Sequence, residues 1–373
     1  QASHFTHSTT YDSWSVNAIC SESNFNKICR TIMAEIETVL GAVDAEDLGT
    51  TLPHEHVVMD CSYYLTLPTT NKERENYNAP ITMENLNWLR HNLYKSKVNV
   101  SMYNEQEAVI TDLKIFKKAG GATVVENTVI GINRDIAKMV NISKLSGVHL
   151  VCGTGYFVDQ TIPGEVKSAS VEKITETMIS EINDGIKETK IKPGIIGEIG
   201  TSWPLTNVEK RSLQAAAEAQ SQTRTPVMIH PGANERAPFE VLRLFQEAGG
   251  DAKRSVMAHL DRTIPRNEVL IELADAGVFL EYDFFGSEIS YMSPFMSDAQ
   301  RIEKIKYLIA EGFVDKILIS HDVHACHNLT TFGGTGFSHI LDYAVPKMLS
   351  KGVATLDINK LLVSNPKAWL TYY

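Results

Sequence analysis

Short apolar runs alternate with amphipathic stretches along most of the chain, and this repeated alternation constrains it more than any other feature. The runs fall at 50–58, 121–129, 148–157, 193–200, 226–232, 255–260, 278–283 and 316–322. Val, Ile and Leu crowd them without polar alternation, as parallel strands covered on both faces require. Between them, 207–222 opens with an Asn cap and a first-turn Glu, and 265–277 opens with Pro and closes with Gly. Eight strands alternating with helices predict an α/β fold, a (β/α)8 TIM barrel, although a doubly wound sheet reads similarly at this level.

At 373 residues the length alone suggests two domains, but a barrel with insertions absorbs that many as one. One such insertion is expected at 61–105, too long for a simple βα loop, with a short helix at 83–93. Residues 1–32 are rich in Ser, Asn and Thr and lack either period. They read as a poorly ordered N-terminal extension, with Met33 a natural start for a single domain spanning 33–373. No secretory signal pattern is evident there.

The formal charge of −10 disfavours nucleic-acid or anionic-membrane partners, and no apolar run is long enough to span a bilayer. Five scattered cysteines (Cys20, Cys29, Cys61, Cys152, Cys326) form neither a disulfide framework nor a CxxC site, so a reducing, cytoplasmic home is expected. The expected partner is a small molecule, and a homodimer is compatible with the chain.

Polar residues with metal-ligand chemistry end these runs. His54 and His56 flank Glu55 in the first, and residues two apart in a strand face one way, which is chelating geometry. Glu198 sits in the apolar segment Ile195-Ile196-Gly197-Glu198-Ile199-Gly200, where a carboxylate must either hold a cation or pair with an arginine. His230, His259 and Asp322 end three later runs; alone, each also reads as a satisfied core histidine or a cap. Their spacing argues otherwise. Glu198 to His230 is 32 residues, His230 to His259 is 29, and His259 to Asp322 is 63, about two repeats. A barrel brings all these strand ends to one mouth.

The phrases Gly49-Thr50-Thr51-Leu52-Pro53-His54-Glu55-His56, Gly153-Thr154-Gly155-Tyr156, Gly197-Glu198-Ile199-Gly200, His230-Pro231-Gly232 and Ser320-His321-Asp322 resemble the phosphotriesterase family of the amidohydrolase superfamily, most closely its animal phosphotriesterase-related branch. The resemblance runs from residue 38 to the C-terminus. It implies a binuclear hydrolase with a bridging hydroxide. His54 and His56 would bind the more buried metal with Asp322, His230 and His259 would bind the second, and Glu198 would bridge them. The founding phosphotriesterases bridge through a carboxylated lysine. Here the nearest lysine, Lys192, lies before the strand, which puts efficient organophosphate hydrolysis in doubt.

Imidazole and carboxylate donors suit Zn2+, with Mn2+, Fe2+ or Co2+ as rivals. Two such ions activate water near neutral pH, and Asp322 is the expected catalytic base. No GxSxG elbow supports a serine mechanism. The resemblance implies an amidase on small N-acetylated amino-acid-like compounds, N-acetyltaurine the expected one. A lactonase or phosphotriesterase is the runner-up, and a barrel that binds metal or ligand without turnover the reading from another class. An anionic substrate needs a cationic receptor; Arg134, Arg236 and Arg262 each follow a strand end, and Tyr156 and His324 are further candidate contacts. His321 should point opposite to Asp322, while Cys326 and His327 enter a loop.

Overall fold

The computed structural model describes residues 34–187, 189–288 and 295–371. The expectations for residues 1–32, Met33, Cys20 and Cys29 lie outside the described residues.

An antiparallel hairpin, β1 (Glu35–Thr38) and β2 (Gly41–Asp44), precedes eight strands: β3 (Thr50–Glu55), β4 (Gly121–Glu126), β5 (His149–Thr154), β6 (Ile195–Gly200), β7 (Val227–His230), β8 (Ser255–Met257), β9 (Phe279–Tyr282) and β10 (Ile317–Ile319). The eight pair in parallel in chain order. The segment after β10 returns to β3: Asp322 N donates to the His54 carbonyl at 3.2 Å, and His56 N to that of Val323 at 3.2 Å. Glu55, facing away from the barrel axis, reinforces the seam by accepting from Ser320 Oγ and the backbone N–H groups of His321 and Val323. These bonds bring the ends of the sheet together as a TIM barrel.

Helices cover the outside: α1 (Asn71–Tyr77) and α2 (Met83–His91) lie in the insertion, followed by α3 (Gln106–Lys118), α4 (Ile136–Ser146), α5 (Val171–Asp184), α6 (Asn207–Thr223), α7 (Ala237–Glu247), α8 (Asn267–Asp275) and α9 (Asp298–Ala310). Among the described residues no helix is long and apolar enough to cross a membrane. Several strands are shorter than the apolar runs that announce them, and two helix starts differ from the sequence expectation. Thr206, not Asn207, caps α6, because its hydroxyl accepts from Glu209 N while the Glu209 carboxylate accepts from Thr206 N, a capping box. Helix α8 starts at Asn267 rather than Pro265, since Arg266 stays extended at φ −89° and ψ 135°.

Strand alternation divides the core. Val125, Val151, Ile195, Met228, Val256, Phe279 and Leu318 point inward and fill the barrel floor with Ile36 and Trp369. Val124, Leu150, Ile196, Val227, Met257, Leu280 and Ile317 point outward into a layer shared with the helices. The polar site occupies the other end of the interior. Two irregularities aim side chains into it. On β3, Leu52 packs on the helix side, yet His54 two residues later faces the interior, and the pairing register shifts between Leu52 and Glu55. On β6 the register shifts between Ile196 and Ile199, and Glu198 turns inward although Ile196 faces out. Such bulges are a general device for re-aiming a side chain.

Candidate metal centre

The six candidate ligands converge. His54, His56 and Asp322 form one group and Glu198, His230 and His259 another, each with ligand atoms within 4.8 Å of one another. Glu198 Oε1 lies 2.6 Å from His230 Nδ1, 3.2 Å from His259 Nε2 and 3.5 Å from His54 Nε2. Its other oxygen, Oε2, lies 3.9 Å from His56 Nε2, so one carboxylate faces both groups. Asp322 Oδ1 lies 3.4 Å from His56 Nε2 and 4.0 Å from His54 Nε2.

Local backbone chemistry accounts for these positions. A Cβ on Gly197 would lie 2.4 Å from the Met228 carbonyl, so only glycine lets Glu198 enter from β6 at that approach. His259 and Asp322 both adopt left-handed conformations, at φ 59° and 51°. For residues other than glycine this is uncommon, and it concentrates at functional sites.

A ring of partners fixes the imidazoles from behind. His54 Nδ1 lies 3.0 Å from Glu281 Oε2 and 3.3 Å from Asp283 Oδ2. His259 Nδ1 lies 2.9 Å from Asp283 Oδ1, and His56 Nδ1 lies 3.0 Å from Thr128 Oγ1, itself bonded to Glu126. Each ring thereby turns Nε2 toward the centre. His54 Nε2 is buried and makes no hydrogen bond. A buried imidazole nitrogen without a hydrogen bond, set between two carboxylates, is the donor a cation would take, and the N/O donor set suits a divalent ion. The residues fit a metal pair.

The electrostatics agree. Burial opposes charge on Glu198, but His230 and His54 outweigh it and hold the carboxyl well below its ordinary range. Asp322 is likewise held low against burial, by His324 and by its hydrogen bonds. Burial lowers His230 to about 4, so this ring is neutral at pH 7. Burial opposes charge on His259 too, yet Asp283 raises it to about 9. The same negative field that favours a proton there favours a metal cation.

Five of these donors, His56, Glu198, His230, His259 and Asp322, floor a cavity of about 680 Å3, lined also by Arg262, His324, Phe157 and the insertion residues Tyr63, Tyr64 and Tyr94. Arg262 Nη2 donates to His230 Nε2 and to the Pro231 carbonyl, both at 3.1 Å. His324 Nδ1 lies 3.3 Å from Asp322 Oδ1. The other expected substrate contacts lie elsewhere. Arg134 makes a two-pronged ion pair with Glu181 and also donates to the Gly153 carbonyl, so its charge is spent within the scaffold. Arg236 is exposed at the start of α7, and Tyr156 is 4% exposed within the helix-side core; neither lines the cavity. His321 points away from Asp322, with Nδ1 at 2.7 Å from Glu55 Oε1 and Nε2 accepting from Ile340 N.

The sequence model of the phosphotriesterase family matches residues 34–370. The chain belongs to this family. It is 46% identical to the N-acetyltaurine hydrolase of Danio rerio over 91% of this chain and 99% of that one. It is equally 46% identical to the phosphotriesterase-related protein of Nematostella vectensis, over 90% and 98%. Among solved structures, the resiniferatoxin-binding protein of Rhodobacter sphaeroides superposes with a TM-score of 0.88 at 32% identity, covering 91% of this chain and 95% of that one. Among its described residues, this phosphotriesterase-family barrel brings no lysine to the bridging position. Lys192 precedes β6 at the opposite end of the strand, where it acts on Glu37 of the hairpin.

Sequence reasoning missed Glu281, Asp283 and the aromatic lining. The first two were findable by the argument applied to Glu198, because they are carboxylates at the same phase of an apolar run. The aromatic residues carry no comparable signal, since their meeting depends on how the insertion folds back.

Proposed function

We propose that this chain is a binuclear metal-dependent amidase acting on small N-acetylated amino-acid-like compounds, with N-acetyltaurine as the leading substrate. The observation that carries the reading is Arg262. It is a guanidinium on the cavity wall, touching a candidate ligand, where an anionic substrate tail would sit beside the reacting carbonyl. The two relatives' extent and identity support the substrate, since one of them is named for hydrolysing it.

His54, His56 and Asp322 would hold one ion, His230 and His259 the other, with Glu198 between; zinc suits these donors best. Such a pair supplies Lewis acidity and water of lowered pKa. The protein supplies the rest. Outer carboxylates hold His54 and His259 in the tautomer that presents Nε2. His230, whose Nδ1 faces Glu198, would hold the second ion, and Arg262 beside its Nε2 would receive the substrate anion. Asp322 is the general base, with its carboxyl held ionised by His324 beside it. Three free buried thiols, Cys61, Cys152 and Cys326, suit a reducing compartment such as the cytoplasm.

Purified, zinc-reconstituted protein should cleave N-acetyltaurine faster than a lactone or an aryl phosphotriester. Arg262→Ala should raise KM for N-acetyltaurine more than for a neutral acetamide. Preference for the lactone or the phosphotriester in the intact protein would reassign the reaction, and turnover of none of them would leave a binding protein. Asp322→Asn should keep most of its metal and lose roughly 10²- to 10⁴-fold in kcat, the usual worth of a general base; unchanged kcat would remove it from that role.

A further inference from the structure

A ten-atom substrate such as N-acetyltaurine leaves most of a 680 Å3 cavity unfilled, a volume in the range of pockets that enclose much larger ligands. The surplus has a definite chemistry. Phe157 packs edge-on against His230 with ring centroids 4.8 Å apart. Tyr63 lies 6.1 Å from Phe157, Tyr64 lies 4.1 Å from Tyr63, and Tyr94 lies 4.8 Å from Tyr64. Four rings thus run without a break from the candidate metal centre to the insertion. Phe157 belongs to a separate apolar cluster that includes Met59, Val100 and Val129, and Tyr63 and Tyr94 pack against it, so these three rings are held by packing. Arg262 touches His230 at Nε2, and Phe157 touches the same imidazole. An anion receptor and the head of an apolar wall therefore flank one ring, within the span of a single amino acid.

Resting on the amidase reading, we propose that Phe157, Tyr63, Tyr64 and Tyr94 form a side-chain subsite, so that among N-acetylated α-amino acids those with an aromatic or large apolar side chain are further substrates, taken in preference to those without one. The carboxylate goes to Arg262, and the side chain lies along the ladder. Burying such a side chain raises kcat/KM on the order of 10- to 100-fold over a substrate that lacks it. Offset or edge-on stacking on these rings would favour a phenyl group over an alkyl chain of equal area.

The test compares N-acetylglycine, N-acetylphenylalanine and N-acetyltaurine on the zinc-loaded full chain and on Tyr64→Ala and Tyr94→Ala. The expected result is a kcat/KM for N-acetylphenylalanine at least tenfold above that for N-acetylglycine, with the ratio falling severalfold in both variants. Tyr64→Phe should restore it, since only the ring is needed. A ratio near one in the intact protein overturns the subsite. So does a high ratio that neither variant changes, because the ladder would then be scaffold only. If no amide is cleaved, the amidase reading falls separately, and calorimetry with the same two acetylated amino acids still decides. Tighter binding of N-acetylphenylalanine that is lost in Tyr64→Ala supports the subsite, and equal affinity overturns it.

Discussion

At His54 two carboxylates compete for one ring nitrogen. Glu281 Oε2 is at 3.0 Å from Nδ1 and Asp283 Oδ2 at 3.3 Å, while the second Asp283 oxygen holds His259. Asp283 therefore touches one histidine from each donor group and ties their orientations together; Glu281 serves His54 alone. Outer partners of this kind usually contribute 10- to 100-fold in metal affinity. Asp283→Asn should weaken both ions by about that factor in a competitive chelator titration, and Glu281→Gln should weaken one. Equal and unchanged affinities in both variants would make the pair mere filling. Glu198→Gln should cost at least one ion by elemental analysis, because a neutral amide cannot bridge two cations; full occupancy would contradict the bridge. The donors themselves were legible in sequence because a carboxylate or imidazole is costly in an apolar run unless a cation or a charged partner meets it there. Their aim was not. Parity from Leu52 and Ile196 would send His54 and Glu198 to the helix side, and register shifts reverse that. His259 and Asp322 likewise depend on left-handed backbone. Four of the candidate donors thus hang on backbone irregularities that alternation rules do not foresee.

The strands and their order could be read from the sequence because each run is short, apolar and followed by an amphipathic stretch. Helix starts were less legible: the cap of α6 fell to Thr206, since a hydroxyl before the first turn competes better than Asn207 within it. The insertion shows how far an element's fate rests on a few bonds. Glu73 at its heart accepts from Thr69 N at 2.6 Å, Thr69 Oγ1 at 2.8 Å and Thr70 N at 3.1 Å, and pairs with Lys95 Nζ at 2.6 Å. The Lys95 bond first, then those from Thr69, lower its carboxyl from 4.5 to about 2. A depressed carboxyl stabilises the fold fully above its unfolded pKa, and that contribution fades as pH falls toward the folded value. The start of α1 should therefore loosen between about pH 4.5 and 2, seen as loss of amide protection at Thr70 and Glu73 ahead of the barrel strands. Glu73→Gln should show the loose behaviour already at pH 7. Protection that holds through pH 3 would place the anchor of this segment elsewhere. Because the same segment carries Tyr94 and Tyr63 close by, its loosening should also erode selection of the side chain before it erodes catalysis.

Across the whole molecule, the barrel resolves a conflict between charge and burial. Its interior end gathers the carboxylates of Glu198, Asp283 and Asp322, all under 10% exposed, beside Glu281, whose carboxyl burial raises to about 8, in a chain already at −10. Like charges at such spacing destabilise the folded state unless cations or protons neutralise them. Four histidines offset part of this, but burial lowers His230 to about 4 and leaves it neutral at pH 7. Divalent ions held by these donors would then be part of the folding balance, since an assembled site binds them far better than an unfolded chain does. Saturating free metal at about 100 times its dissociation constant adds about 2.7 kcal/mol to stability. Chelation should accordingly lower the melting temperature by several degrees, and restored zinc should raise it again in proportion to the logarithm of its free concentration. Glu198→Gln should show a smaller rise, because one of its ions has lost its bridge. Asp322→Asn should lose part of the negative charge with its base, so its chelated form should melt above the chelated parent. A melting temperature indifferent to both chelator and zinc would mean that the buried carboxylates are balanced by the protein's own protons and cations, and the case for a metal pair would fall with it.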